Sequence, residues 1–183
     1  MEFYSERLKM RAIVPDDLHL MQAWINDPET ARFLGISWPV SPQGQRAWLE
    51  RLNQQRDRHK LILEHRESQT PIGILSFTHI DPLHQTAEIG ITLGDRAYRG
   101  QGLGREAVSH GLDILFRHFN IHRVTAHILE TNTRSVALFE QVGFQHDGLM
   151  REDTWWEGRR VGTLILSKLR SEHMFNPTPT DTP

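Results

Sequence analysis

The sequence predicts an α+β domain in which a single mixed, mostly antiparallel sheet of about seven strands carries about four helices on its faces. Three observations predict it. Three β-rich runs, "KLILEHR" (60–66), "PIGILSFTHI" (71–80) and "TAEIGITL" (86–93), are separated by turn chemistry at "ESQT" and "DPLHQ" and read as an antiparallel meander. A glycine-rich stretch, "YRGQGLGREAV" (98–108), then runs into a helix and out to a further strand. A strand–helix–strand connection is a crossover, so the two strands it joins are expected to be parallel neighbours. Finally, two runs at about 144–154 and 159–169 flank a hairpin turn at "EGR".

The remaining elements follow in chain order. "LKMRAI" (8–13) alternates apolar and polar side chains and reads as a strand. Pro15-Asp16 opens a helix over "DDLHLMQAWIN", and Asp27-Pro28 reads as its end. After a loop at 33–44, "QRAWLERLNQQRD" places Ala47, Trp48, Leu49 and Leu52 among helix formers and gives a second helix. The helix after the glycines runs from about Gly102 to Phe119, with Leu103, Val108, Leu112, Leu115 and Phe119 recurring on one buried face. "RVTAHIL" (123–129) is a strand, and "NTRSVALFEQVGF" is a short helix capped by Asn132 or Thr133 and stopped at Gly143.

At 183 residues, 38% hydrophobic and 24% charged, the chain has material for one domain, placed at residues 1–172. The last ten residues, "MFNPTPTDTP", hold three prolines, so 173–183 read as a disordered Pro/Thr-rich tail. A net charge of -2 argues against nucleic acid or an anionic membrane as partner. The N-terminus lacks a signal-peptide core and no apolar run approaches a membrane span, so a cytoplasmic location is expected. The absence of cysteine excludes disulfides, thiolate metal sites and cysteine nucleophiles, and the eleven scattered histidines read as surface or structural, with no metal expected.

The glycine stretch carries the functional signal. Glycines permit positive φ and close backbone approach, so such a turn at a helix start aims successive N–H groups at one point, where the helix dipole favours an anion. A tight turn without ligand is the competing reading. Neither familiar phosphate loop fits: Gly104 is followed by Arg105-Glu106 rather than Lys-Ser/Thr, and "GQGLG" has G-x-G-x-G spacing with no carboxylate opening the next strand.

The hexapeptide Arg99-Gly100-Gln101-Gly102-Leu103-Gly104 resembles the R/Q-x-x-G-x-G/A signature of the GNAT acetyltransferase superfamily. "AEIGITLGDRAYRGQGLG" is similar to that family's fourth strand and loop, and "ETNTRSVALFEQVGF" to its N-x-x-A/S…Y-x-k-x-G-F block about thirty residues on. The likeness covers roughly 7–170. Within the superfamily the chain is most similar to the ribosomal-protein N-terminal (alanine/serine) and spermidine acetyltransferases, judged by "SERLKMRAIVPDDLHLMQAWIND" and "DGLMREDTWWEGRRVGTLILS". The resemblance implies the GNAT fold, with one parallel pair splayed around the cofactor. It also implies acetyl-CoA as cosubstrate, a primary amine as acceptor (a peptide N-terminus or a polyamine) and a possible homodimer.

It further implies roles for particular residues. Arg99, Gly100, Gln101, Gly102, Leu103 and Gly104 would hold the pyrophosphate, and Ile91, Thr92 and Leu93 the pantetheine arm, with a strand amide aimed at the thioester oxygen. Asn132 would touch pantetheine or cap its helix. Arg105 and Arg134 are candidates for the 3′-phosphate or plain surface residues. A primary ammonium needs a general base at neutral pH. Alternation places Glu88, with Gly90 and Thr92, on the face opposite Ala87, Ile89, Ile91 and Leu93, and family members use a glutamate near this place. The family's usual proton donor, a tyrosine, is replaced by Phe139, which lies in the cofactor block but donates nothing; Ser135 matches an alternative serine donor, or else bonds to backbone at the helix start. Trp38, Asp153 and Trp155 are candidates to meet the substrate. Of the neighbours Trp155 and Trp156, at most one is core. Two other readings stay open, a non-catalytic acyl-CoA-binding module and an acetyltransferase of aminoglycoside-type antibiotics.

Overall fold

The computed structural model describes residues 1–36 and 38–176. They form one eight-stranded sheet in the order β1-β2-β3-β4-β5-β6-β8-β7, with β1 at Phe3–Tyr4, β2 at Leu8–Ala12, β3 at His59–His65, β4 at Thr70–Asp81, β5 at Thr86–Leu93, β6 at Arg123–Leu129, β7 at Gln145–Trp156 and β8 at Arg159–Leu169. β5 and β6 run parallel and every other neighbouring pair is antiparallel. The α+β class, the meander and the crossover all hold.

The crossover is α4 (Leu103–His118), and α5 (Thr133–Gln141) follows β6. α4 packs the larger core against the sheet: Ala107, Val108, Leu112, Leu115 and Phe116 are fully buried with Leu75, Phe77 and Ile89 of β4 and β5. The opposite face is covered by α1 (Leu18–Asn26) and α3 (Pro42–Gln54), where Met21, Trp24 and the partly buried Trp48 meet Ile62 and Ile74. From Gly73 to Thr78 of β4 and along β5, even-numbered residues therefore look toward α1 and α3, and odd-numbered ones toward α4.

Two elements were hidden in the sequence. Asp27-Pro28 reads as a stop, yet it starts a further helix, α2 (Pro28–Leu34), because proline at the first helical position needs no N–H partner and the Asp27 carboxylate caps the Thr30 N–H at 3.2 Å. β1 has only two residues, too few to show alternation.

The stretch assigned to the tail begins later than its composition indicates. His173 is buried, donates to Asp113 Oδ1 of α4 at 2.8 Å and meets the Phe116 ring at a tilt and the Phe175 ring edge-on. Asn176 donates to Asp113 Oδ2 at 2.7 Å and to Ser109 at 3.1 Å. Residues 173–176 thus dock on α4, and the rest of that stretch, 177–183, lies outside the described residues.

Candidate active site

β5 and β6 pair through only three residue pairs, Thr86↔Arg123, Ala87↔Val124 and Glu88↔Thr125. Beyond Glu88 the strands part. β6 continues against β8 as far as Leu129, while Ile89–Leu93 of β5 keep their ladder to β4 alone, so the other edge of β5 presents unpaired backbone groups along a wedge. Both α4 and α5 begin at the mouth of this wedge.

At α4 the sequence motif takes the shape its residue types require. Gly100 and Gly102 have φ of +78° and +80°, the left-handed region that residues with a Cβ adopt only under strain. Gly102 caps α4 with no side-chain acceptor, and the first helical bond runs from Glu106 N to Gly102 O, which leaves the preceding N–H groups of the turn free to point outward. Gly104 serves packing instead: a Cβ there would lie 2.7 Å from Leu138 Cδ1 of α5, with Ile91 and Leu93 behind it. Leu103 is core.

The loop is braced from outside the wedge. Arg99 donates to Leu93 O (2.9 Å), Gly94 O (3.3 Å) and Thr30 Oγ1 (3.1 Å), so its side chain is a strut between β5, the loop and α2. Gln101 spends its amide on Ala97 O at 2.7 Å. Glu106 receives Ser5 Oγ, Arg7 N and Arg7 Nε, each at 2.7 Å, and Arg7 also donates to Gln101 O at 3.0 Å. Burial pushes the Glu106 carboxyl up, but these donors outweigh it and hold it below the usual carboxylate range. Arg105 is exposed and lines a cleft of about 770 Å³ together with Arg7, Arg66 and Lys168. Arg134 is exposed in the first turn of α5.

Asn132 caps α5, its Oδ1 accepting from Ser135 N at 3.2 Å. Ser135 is half-buried one turn before Leu138, which carries its turn toward Gly104, Ile91 and Leu93. Thr131, which precedes the cap and which sequence reasoning passed over, has a buried hydroxyl with no partner among the described residues. Phe139 is 2% exposed and packs edge-on against Phe144 at 4.9 Å.

On the α1–α3 face, the Glu88 carboxylate sits between two imidazoles, with His79 Nδ1 at 3.0 Å and His127 Nδ1 at 3.4 Å from Oε2. Thr92, four pairs further along, faces the same side opposite Ile74. The proposed substrate residues are spread more widely. Asp153 accepts at 3.0 Å from Thr163 Oγ1, two strands away from Glu88 on β8, Trp38 is 82% exposed, and Trp155 is 66% exposed beside Arg160. Of the tryptophan pair, Trp156 is the packed member: its Nε1 donates to Arg32 O at 3.0 Å and its ring stacks on Phe33. Among the described residues, no group of three or more histidine, aspartate or glutamate side chains forms a metal cage. No described helix is long and apolar enough to cross a membrane.

A parted parallel pair with a glycine-capped helix start at its mouth offers one ligand both an open strand edge and helix-start N–H groups, and the family of the chain makes it an acyltransferase. The chain belongs to the GNAT acetyltransferases: the family profile "Acetyltransferase (GNAT) domain" matches residues 7–145. It is 30% identical over 175 residues to the N-acetyltransferase p20 of Bacillus licheniformis, covering 93% of this chain and 97% of that one. It is 26% identical over 157 residues to the ribosomal-protein-serine acetyltransferase of Escherichia coli, covering 81% and 84%. Its fold superimposes on spermidine N-acetyltransferase from Vibrio cholerae, a structure solved with CoA and spermine, with a TM-score of 0.85 at 22% identity over 92% of this chain and 99% of that one.

Proposed function

We propose that this acetyltransferase moves acetyl from acetyl-CoA to a primary amine, a peptide N-terminus or a polyamine, by direct attack in a ternary complex. The observation that carries the reading is the wedge, an unpaired strand edge with two helix starts at its mouth and the buried Thr131 hydroxyl, partnerless among the described residues, just before the second. The residues present fit the cosubstrate. The free N–H groups after Gly100 and Gly102 suit a pyrophosphate, and the open edge at Ile91–Leu93 suits an amide-bearing arm. Thr131 and Asn132 flank that arm, and Arg105 and Arg134 stand where a further phosphate can meet them.

The acyl thioester supplies the acetyl group. Glu88 takes a proton from the acceptor ammonium, and the free amine attacks the thioester carbonyl. A backbone N–H of the β5 edge steadies the oxyanion. Ser135 returns a proton to the departing thiolate, a role the buried Phe139 ring leaves vacant. Asp153, with Trp38 and Trp155, is proposed to meet the far end of the acceptor. The exposed outer strand β7, which carries Leu149, Met150 and Trp155, is proposed to face a second copy.

A thiol-release assay with acetyl-CoA and a panel of peptides, polyamines and aminoglycosides tests the activity. Glu88→Gln is expected to lower kcat/KM by about 100-fold at neutral pH and to recover as free amine accumulates at higher pH. Ser135→Ala is expected to lower kcat at every pH, because no base in solution replaces a missing acid. Thiol release at wild-type rate by Glu88→Gln rules out the base, and no release with any acceptor favours a binding module.

A further inference from the structure

Glu88 lies on β5 directly opposite Thr78 of β4, and both look toward α1 and α3. Strict alternation after Thr78 would turn His79 to the other face, into the core against α4. It does not go there. The β4–β5 register shifts between Thr78 and Asp81, His79 adopts φ +50°, and Ile80, 9% exposed, takes the core place instead. The bulge swings the His79 ring back to the Glu88 side, with Nδ1 3.0 Å from Glu88 Oε2 and the ring 64% exposed.

The conformation is costly for a residue with a Cβ, and bulges recur where a side chain must be re-aimed beside a site. Four of the other five non-glycine residues with positive φ, Gln69, Gln85, Asn120 and Glu157, lie in turns between elements; within β4, His79 stands alone. The groups that face Glu88 are His79 from β4 and His127 from β6. Further out on that face Arg123 is paired with Asp147 at 2.6 Å and Asp81 with His84 at 2.8 Å, while Lys60 of β3, opposite Ser76, lays its Nζ over the Trp48 ring at 5.4 Å. Both imidazoles address Oε2, which leaves Oε1 open.

We infer that His79 is a positioning residue for acetyl transfer: the β4 bulge aims its Nδ1–H at Glu88 Oε2 and fixes the carboxylate so that Oε1 faces the acceptor ammonium. The inference rests on the reading of Glu88 as the base. In the step served, the N–H bond of the ammonium breaks as an O–H bond forms at Oε1. The products are a neutral amine and a carboxylic acid, and the acid then loses its proton to water.

The test compares His79→Ala and His79→Asn in the wild-type and Glu88→Gln backgrounds, using acetyl-CoA with whichever of spermidine or an N-terminal serine peptide the wild type acetylates faster. His79→Ala is expected to lower kcat about tenfold with KM for acetyl-CoA unchanged, and to move the acidic limb of the pH–rate profile, the limb that a general base sets. His79→Asn keeps a donor near the Nδ1 position and tolerates positive φ, so it is expected to recover to within about threefold of wild type. In the Glu88→Gln background, His79→Ala is expected to add nothing. As a readout independent of turnover, the NMR signals of the His79 ring are expected to shift in Glu88→Gln, because the ring loses the carboxylate 3.0 Å from its Nδ1. A slow Glu88→Gln enzyme alongside a His79→Ala enzyme of wild-type rate and pH profile overturns the positioning role and leaves the base standing. Wild-type rates for Glu88→Gln overturn both.

Discussion

Gly102→Ala isolates the backbone requirement of the glycine loop. At φ +80° a Cβ at this position meets only Arg7 Nη2, at an ordinary 3.6 Å, so no steric clash complicates the change. What remains is the left-handed backbone itself, worth about 1–2 kcal/mol for a residue with a Cβ. If the loop keeps its shape, that strain is present in free and bound protein alike, and urea unfolding loses about 1–2 kcal/mol while CoA affinity stands. If the loop relaxes to negative φ, stability is kept, but its N–H groups must be turned back on binding. The same energy then appears as a rise in Kd of about 5- to 30-fold by calorimetry. The two losses together should account for the strain. Gln101→Ala is the control, since it removes one exposed 2.7 Å bond to Ala97 O and leaves every N–H in place. Gly102→Ala with both quantities unchanged, or Gln101→Ala matching it in Kd, refutes an anion site built from backbone amides.

Two further predictions concern the supports of α4. The Glu106 carboxyl is held below its ordinary value of 4.5, so its contribution to stability is complete above that pH and is lost as pH falls through the lower folded value. Urea midpoints should therefore favour wild type over Glu106→Gln by about 1–2 kcal/mol at pH 7, with the gap closing toward pH 3; a gap that persists in acid would show that charge is not the cause. His173→Ala strips a buried carboxylate of one donor and is expected to cost about 1–3 kcal/mol in thermal unfolding, with Asn176→Ala costing less; unchanged melting of both would mean that the C-terminal segment does not hold α4.

What could be read from the chain divides by the range of the physics involved. Gly100 and Gly102 announced the loop because a backbone conformation is written in the residue type that tolerates it, and the face of Glu88 followed from the two-residue period of a strand. His79 was invisible for the same reason: a bulge changes the parity of everything beyond it, and no composition marks the shift. Asp27-Pro28 misled because the same dipeptide ends one helix and starts another. The Ser5–Arg7–Glu106 brace joins residues about a hundred positions apart, and only folding brings a carboxylate in a helix's first turn to the chain's beginning. Proline content located the end of the chain but not the place where packing ceases, since His173 and Asn176 find buried partners on α4.

Among the described residues, three residue pairs between β5 and β6, with the bonds of His122 N and Arg123 N to Gln85 O just before them, are the backbone ladder that joins the β1–β5 leaf of the sheet to the β6–β8–β7 leaf. A ligand that bonds to the free edge of β5 while touching the start of α5 makes up part of the missing ladder, so occupancy and cohesion of the fold become one equilibrium. A hundredfold excess over Kd adds about 2.7 kcal/mol to the unfolding free energy, as much as many core substitutions remove. Variants weakened anywhere in either leaf should then survive or unfold according to the supply of acyl thioester, which makes the abundance of the folded protein responsive to the metabolite it consumes.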